Sequence, residues 1–410
     1  MTRDDASAVA VTGLGVVTPA GCHVDEYWDA LLDGKSTATL IDFDESVPVR
    51  LGARVRGFDP TSRMTAKEAR RTDRFAQYAL AAALDAFDDA GQPDAPRDRA
   101  AVVVGNGGGG AETTQEQTRI YLERGPDQVN PLYVPMVMSN AAPAIIGLTL
   151  GWQGPNFSVA TACASGAHAI GEGFRMVRDG SADVALVGGT EANLNPQALN
   201  AFSRLQALST REQEPDRASR PFDRERDGFV MGEGAGFCVL ERLEDARARN
   251  ASVYGILAGY GRNSDAHHLV MPEPSGSGAA RCMALAMSDA AIESIDVAHV
   301  NAHGTSTRLN DLTEARALRR VFGDDAVPPV TSSKGVLGHL VGAAGAVEFV
   351  AAVLSSFHRV APPTANYEYP DERIGVDVVA GSPRSLESGV VVTNSFGFGG
   401  HNASLVVVPA

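Results

Sequence analysis

No stretch of this sequence carries the roughly 20 consecutive apolar residues that a membrane-spanning helix needs, so no membrane partner is expected. Basic charge is scarce. The 35 Lys and Arg residues face 50 Asp and Glu, a formal net charge of −15, which argues against non-specific binding to nucleic acid or anionic membranes. A local basic patch can still form and meet an acidic partner. Cysteine is sparse and dispersed: Cys22, Cys163, Cys238 and Cys282 include no Cys-x-x-Cys pair, so neither a zinc site nor a disulfide framework is indicated, and no metal is expected. A reducing, cytoplasmic compartment is the simple expectation. Met1 to Ser7 is polar and acidic and lacks the apolar core of a signal peptide. Two glycine-rich segments, Gly105-Asn-Gly-Gly-Gly-Gly and Asn394-Ser-Phe-Gly-Phe-Gly-Gly-His-Asn, lack the Gly-Lys-Ser/Thr ending of a Walker loop.

What is present is apolar and periodic. Of the 410 residues, 44% are hydrophobic and 21% charged, enough for a large core in two or three domains. Ala8 to Val17, Ala101 to Gly105, Val184 to Gly189, Val297 to Asn301 and Val390 to Thr393 are short continuous apolar runs. Such runs fit strands buried on both faces. Between them lie helical patterns, at Asp25 to Asp33 and, as one long amphipathic helix, at Lys67 to Ala90. Alternation of this kind reads as α/β. A charged helix tail at Glu241 to Asn250, followed by the strand restart Ser252-Val-Tyr-Gly-Ile-Leu, divides the chain into 1–250 and 251–410. The halves share a grammar, but their identity is too weak to read as a repeat.

Four segments can carry chemistry. In Ser158-Val-Ala-Thr-Ala-Cys-Ala-Ser-Gly-Ala a short strand runs into small residues and then helical spacing. This puts Cys163 at a helix start, where free N–H groups and the helix dipole lower a thiol pKa. Alone, Cys163 reads more readily as an ordinary buried cysteine. Asn301-Ala-His-Gly-Thr-Ser-Thr places His303 just past a buried strand, where it can donate or accept a proton; His299 reads as structural. Ser332-Ser-Lys-Gly-Val-Leu-Gly-His sets Lys334 and His339 around a glycine turn. A lysine in so apolar a segment needs a carboxylate, and Glu314 is the evident candidate. In the Asn394 to Asn402 segment the glycines allow N–H groups to aim at an oxyanion, and Phe396 and Phe398 can wall an apolar pocket.

Taken together and in this order, with Arg220-Pro-Phe-Asp-Arg-Glu-Arg-Asp-Gly-Phe-Val-Met-Gly-Glu-Gly-Ala-Gly, these segments resemble the elongating β-ketoacyl-acyl-carrier-protein synthases of fatty-acid and polyketide assembly over nearly the whole chain. The resemblance implies a thiolase-like fold of two βαβαβαββ halves in α–β–α–β–α layers, working as a homodimer or as a heterodimer with a chain-length-factor-like subunit. It implies decarboxylative Claisen condensation of an acyl group on Cys163 with malonyl carrier protein. His303 and His339 would be the catalytic histidines, Lys334 with Glu314 a charged pair, and Asp311 an acid behind the site. The N–H groups of Cys163 and Phe398 would form the oxyanion hole. Thr305 and Thr307 would contact pantetheine, with Phe202, Phe229, Phe396, Phe398 and Gly108 around the substrate. No cofactor is implied beyond the pantetheine of acyl carrier protein.

Departures from the commonest pattern are His401, Gly108, and Val270 with Met271 in a substrate-side loop. Gly108 is expected to leave space beside Phe398 for long or rigid chains. Lys67, Arg70, Arg71 and Arg74 fall at i, i+3, i+4 and i+7, one face of a helix, and are expected to dock the acidic carrier protein; the bland alternative pairs them with Glu68 and Asp73. A CoA-dependent thiolase is disfavoured by the spacing around His303 and His339. An inactive chain-length factor is disfavoured by Cys163, and a non-catalytic scaffold is the remaining alternative.

Overall fold

The apolar runs become the strands of one mixed ten-stranded sheet in the computed structural model, which describes residues 8–44 and 46–410. Met1 to Ser7, read above as lacking a signal core, lie outside the described residues. The strands are β1 Val9–Val17, β2 Ala100–Gly105, β3 Asn156–Val159, β4 Val184–Glu191, β5 Gly234–Arg242, β6 Gly255–Ser264, β7 His299–Asn301, β8 Val330–Thr331, β9 Val391–Gly397 and β10 His401–Val408. Their order across the sheet is β3-β2-β4-β5-β1-β6-β10-β9-β7-β8.

That order contains a duplication. In the first five strands the third, second and fourth are parallel neighbours, and the fifth runs antiparallel between the fourth and the first. The second five repeat the same order and the same directions. A short antiparallel pairing of Val9 to Val11 with Gly255 to Leu257 joins the two sets. The first strand of each set carries Gly-x-Gly for one physical reason. A Cβ at Gly13 or Gly15 would lie 2.1 Å from a carbonyl of helix α1, Arg74–Asp89, and one at Gly259 or Gly261 would lie 2.2 and 2.1 Å from carbonyls of helix α3, Ser277–Ala290. Only glycine lets strand and helix backbones approach so closely.

Layering follows from which faces are apolar. Phe75, Tyr78 and Leu80 of α1 pack on Val102, Val104 and Phe237 outside the first set. Met283 of α3 and Leu318 of α4, Arg308–Phe322, pack on Val300, Val392 and Val406 outside the second. Between the sets lie α2, Ser165–Asp179, and α5, Ala344–His358, whose Ile170, Phe174, Val347 and Phe349 share a core with Val11, Val103, Leu405 and Val407. The result is α–β–α–β–α. Among the described residues one helical stretch, Val341–His358, is long and apolar enough to cross a membrane, and 89% of it is buried inside the protein.

Two helix expectations need correction. Lys67 to Ala90 is not one helix. A helix Ala66–Ala69 starts on a capping box between Thr65 and Glu68, and α1 then restarts on the Asp73 carboxylate, which accepts from Phe75 N at 3.1 Å. Two strong N-caps eight residues apart start two helices. Where a charged helix tail was expected at Glu241 to Asn250, β5 runs through Arg242, and only Leu243–Ala248 is helical.

Candidate active site

Cys163 stands where β3 gives way to α2. Ala162 takes a left-handed φ of 52°, residues Ala162–Ala164 form a single tight turn, and α2 begins at Ser165. The turn is held by Ser165 Oγ, which accepts from Thr161 N at 2.8 Å and donates to Ala162 O at 2.6 Å. The thiol lies at the base of a cavity of about 650 Å³. Burial pushes it up to about 11, against the opposing pull of the Lys334 charge and of the Phe398 and Cys163 N–H groups. The helix start acts in the expected direction, but desolvation outweighs it, so the resting group is a thiol and the expected lowering is corrected.

His303 follows β7 directly. Its N–H and that of Gly304 donate to the two oxygens of Glu314 on α4, each at 2.8 Å, which fixes the turn. The backbone of His339 is bonded on both sides to the segment Val230–Gly232. Its Nδ1 accepts from Val341 N at 3.2 Å, so Nε2 carries the hydrogen. A Cys163 sulfur, a His303 nitrogen and a His339 nitrogen all lie within 4.8 Å of one another. Burial, then the charge of Lys334, holds both histidines well below the usual imidazole range, so both are neutral. Three such atoms suit a zinc-like ion by geometry alone, but the Lys334 ammonium acts on all three groups and opposes a second cation there.

The partner of Lys334 is Glu348, not Glu314. Lys334 Nζ bonds Glu348 Oε1, both residues are buried, and Ser333 Oγ adds a 3.4 Å contact. Glu314 spends both oxygens on backbone N–H groups instead. Burial raises both Glu314 and Glu348 to about 7. A signal for Glu348 was present: it is the lone charge in the apolar run Ala344 to Leu354, and such a charge needs a partner. Asp311 lies behind the His303 loop, accepting from Phe222 N at 2.8 Å and facing Arg226 Nε at 3.6 Å.

The cavity wall is aromatic and apolar. Phe202 meets Phe229 at 5.4 Å and Phe398 at 6.4 Å between centroids, Phe229 packs on His339 at 5.3 Å, and Phe396 on His303 at 5.9 Å. Thr305 and Thr307, 2.9 Å apart through their hydroxyls, line it, as do Val270 and Met271. Gly108 does not line it. A Cβ there would lie 2.0 Å from Asn193 Nδ2, so the Asn193 carboxamide occupies the space expected to be open.

The basic stripe is also changed. Lys67, Arg70 and Arg71 are exposed and make no ion pair among the described residues, whereas Arg74, one element later, faces Glu112 at 3.7 Å. Glu68 caps its own helix beside Lys67, and buried Asp73 accepts from Thr113 N beside Arg74, so each carboxylate bears on one end of the stripe and Arg70 and Arg71 make no ion pair among the described residues.

A duplicated α/β core of this topology, with its cysteine at one internal helix start, defines the thiolase-like class. The chain belongs to the beta-ketoacyl synthase family: the N-terminal domain model matches residues 6–246 and the C-terminal domain model residues 254–368. It is 42% identical to the 3-oxoacyl-[acyl-carrier-protein] synthase 2 of Synechocystis over 99% of both chains, and 42% identical to that of Coxiella burnetii over 97% of this chain and 98% of the relative. Among solved structures it superposes on the ishigamide ketosynthase/chain length factor with a TM-score of 0.93 at 34% identity, covering 98% of this chain and 99% of that one. A type II polyketide ketosynthase in complex with its acyl-carrier protein matches at 0.90 and 31%, with the same coverage. The chain is an acyl-transferring enzyme of this family.

Proposed function

We propose that the chain elongates an acyl group held on Cys163 by condensing it with malonyl-acyl-carrier-protein. The carrying observation is the cluster of one thiol and two neutral imidazoles within 4.8 Å, at the base of an apolar cavity. In the first half-reaction the Cys163 sulfur attacks the acyl thioester. The N–H groups of Cys163 and Phe398 hold the oxyanion, and the thiol proton ends on the departing pantetheine sulfur. In the second, malonyl carrier protein enters past Thr305 and Thr307 and loses carbon dioxide. The enolate oxygen takes hydrogen bonds from His339 Nε2–H and from His303. The enolate carbon attacks the acyl carbonyl, the carbon–sulfur bond to Cys163 breaks, the departing thiolate takes a proton from solvent, and 3-oxoacyl carrier protein leaves. Burial and, next to it, the Lys334 charge keep both imidazoles uncharged, and Glu348 holds Lys334. No cofactor is needed beyond the carrier's pantetheine.

Exposed Lys67, Arg70 and Arg71 on an acidic protein supply the charge an acidic carrier protein would meet. Association with a second subunit of the same fold, identical or chain-length-factor-like, is supported by the face that carries edge strand β3. There, helix Ala111–Arg124 buries no residue, and Leu148 and Val134 are exposed. We assign the two halves as 1–250 and 251–410 and place the enzyme in a reducing, cytoplasmic compartment, which its free cysteines support.

The test is product formation. Purified protein given a fatty acyl donor, malonyl carrier protein and no metal should yield 3-oxoacyl carrier protein by mass spectrometry. Absence of both this product and carbon dioxide release would refute the reading.

A further inference from the structure

The duplication places a second, chemically different turn opposite the one that carries Cys163. After β8 the chain forms a tight turn at Val341–Ala343 and enters α5 at Ala344, as it forms Ala162–Ala164 and enters α2 at Ser165. Val341 takes φ 47° where Ala162 takes φ 52°. The two helix starts interlock reciprocally: a Cβ on Gly166 would lie 2.7 Å from Ala346 N, and one on Gly345 would lie 2.8 Å from Ala167 N. Gly342 is therefore the counterpart of Cys163. Its N–H points into no cavity. It donates at 3.0 Å to Glu191 Oε2, the last residue of β4, whose two oxygens also accept from Gly107 N at 2.8 Å and Gly108 N at 3.2 Å.

We propose that Glu191 is a positioning residue for the condensation: its carboxylate fills the second oxyanion-like nest and thereby fixes the turn that orients His339. The chain of contacts is short. Gly342 N–H is held by Glu191. The preceding residue, Val341, sits at φ 47°, a left-handed conformation that is strained for a β-branched residue and persists only when its surroundings impose it. The N–H of that same Val341 is the one that donates to His339 Nδ1. Losing the carboxylate frees Val341 to relax, unlocks the His339 tautomer and withdraws Nε2–H from the enolate position. Glu191 is fully buried and makes no ion pair among the described residues, so the three N–H groups are what it is there to bind.

The inference rests on the condensation reading above. Wild-type enzyme is therefore assayed beside Glu191→Ala and Glu191→Gln for three readouts: carbon dioxide release from malonyl carrier protein, acylation of Cys163, and thermal unfolding. The expected result is a fall in decarboxylation kcat of at least about tenfold in both variants, with little change in KM and with acylation retained. Formate or acetate should restore the Ala variant in a concentration-dependent way, because a small carboxylate can enter the vacated nest; a packing defect would not respond. Where the Ala variant fails to fold, the isosteric Gln variant decides alone. Decarboxylation within about threefold of wild type in the Gln variant, or a folded Ala variant that neither carboxylate rescues, overturns the role of Glu191. Wild-type protein without decarboxylation would instead overturn the functional reading beneath it.

Discussion

The two helix starts of the duplicated core share a backbone and differ in what they face. At the first, a side chain is present at Cys163, the Phe398 N–H approaches it, and the turn opens into the cavity. At the second, Gly342 has no side chain, and a Cβ there would lie 2.3 Å from Gly107 N. A carboxylate of the chain itself takes the N–H groups. The difference teaches that the scaffold supplies the oxyanion geometry twice, and that chemistry arises only where a nucleophile and an open cavity coincide. The second half contributes differently, through His303, His339 and the Lys334–Glu348 pair. On α2 the position matching Glu348 is Ala169, so that helix carries no counterpart of the Lys334 partner.

Substitution at the two turns should break this comparison most sharply. Cys163→Ala should abolish condensation by at least about a thousandfold while the protein stays folded. Gly342→Ala should act on the fold first: strain from overpacking should lower unfolding stability by about 1–3 kcal/mol, read by chemical denaturation, because its neighbours are backbone and cannot yield. Next in size, His303→Ala and His339→Ala should each cut decarboxylation by about 10²–10⁴-fold, with acylation of Cys163 partly surviving in a mass assay.

Much of this was legible in the sequence, and the misses share a cause. Cys163, His303, His339 and the aromatic wall each stand in a local pattern, a strand end followed by glycine or small residues, but only the four segments together, through the family resemblance, single them out. The partner of Lys334 was misassigned because a buried pair is chosen by the packing of α5 against the Lys334 turn, 14 residues on, not by proximity to the histidine loop. Asn193 filling the space at Gly108 is likewise a contact between segments distant in sequence. The duplication was invisible in overall identity, yet Gly13-Leu-Gly15 against Gly259-Tyr-Gly261 and Cys163-Ala-Ser-Gly-Ala against Gly342-Ala-Ala-Gly-Ala carry it.

Smaller effects sharpen the contrast further. Removing one member of the Lys334–Glu348 pair leaves a buried charge without a partner, so Lys334→Met should cost about 3–5 kcal/mol. The double substitution Lys334→Met, Glu348→Met should recover much of that stability but not the decarboxylation rate. pH provides a gentler probe. His303 and His339 have folded pKa values well below 6.5, so between those values the unfolded chain binds more protons than the folded one. Their contribution is complete above pH 6.5 and is lost as pH falls from there, whereas Glu314 and Glu348, raised to about 7, act in the opposite direction; the histidine share should therefore show as a difference, with wild type losing more stability than His303→Ala in denaturation curves taken from pH 7.5 to 5. The smallest effect is expected at the surface. Arg70→Glu with Arg71→Glu should raise KM for carrier-bound substrate several-fold at low salt and much less at high salt. Turnover of a short pantetheine-mimic thioester should hardly change.

The most direct measurement is of where the acyl group sits between the half-reactions. Wild-type protein loaded with acyl donor in the absence of malonyl carrier protein, then digested and mapped by mass spectrometry, should carry one acyl mass on the peptide containing Cys163. That mass should disappear on addition of malonyl carrier protein as the 3-oxoacyl product appears. An acyl group found on Cys22, Cys238 or Cys282, or product formed with Cys163 never acylated, would contradict the assignment of the nucleophile and with it the contrast between the two turns.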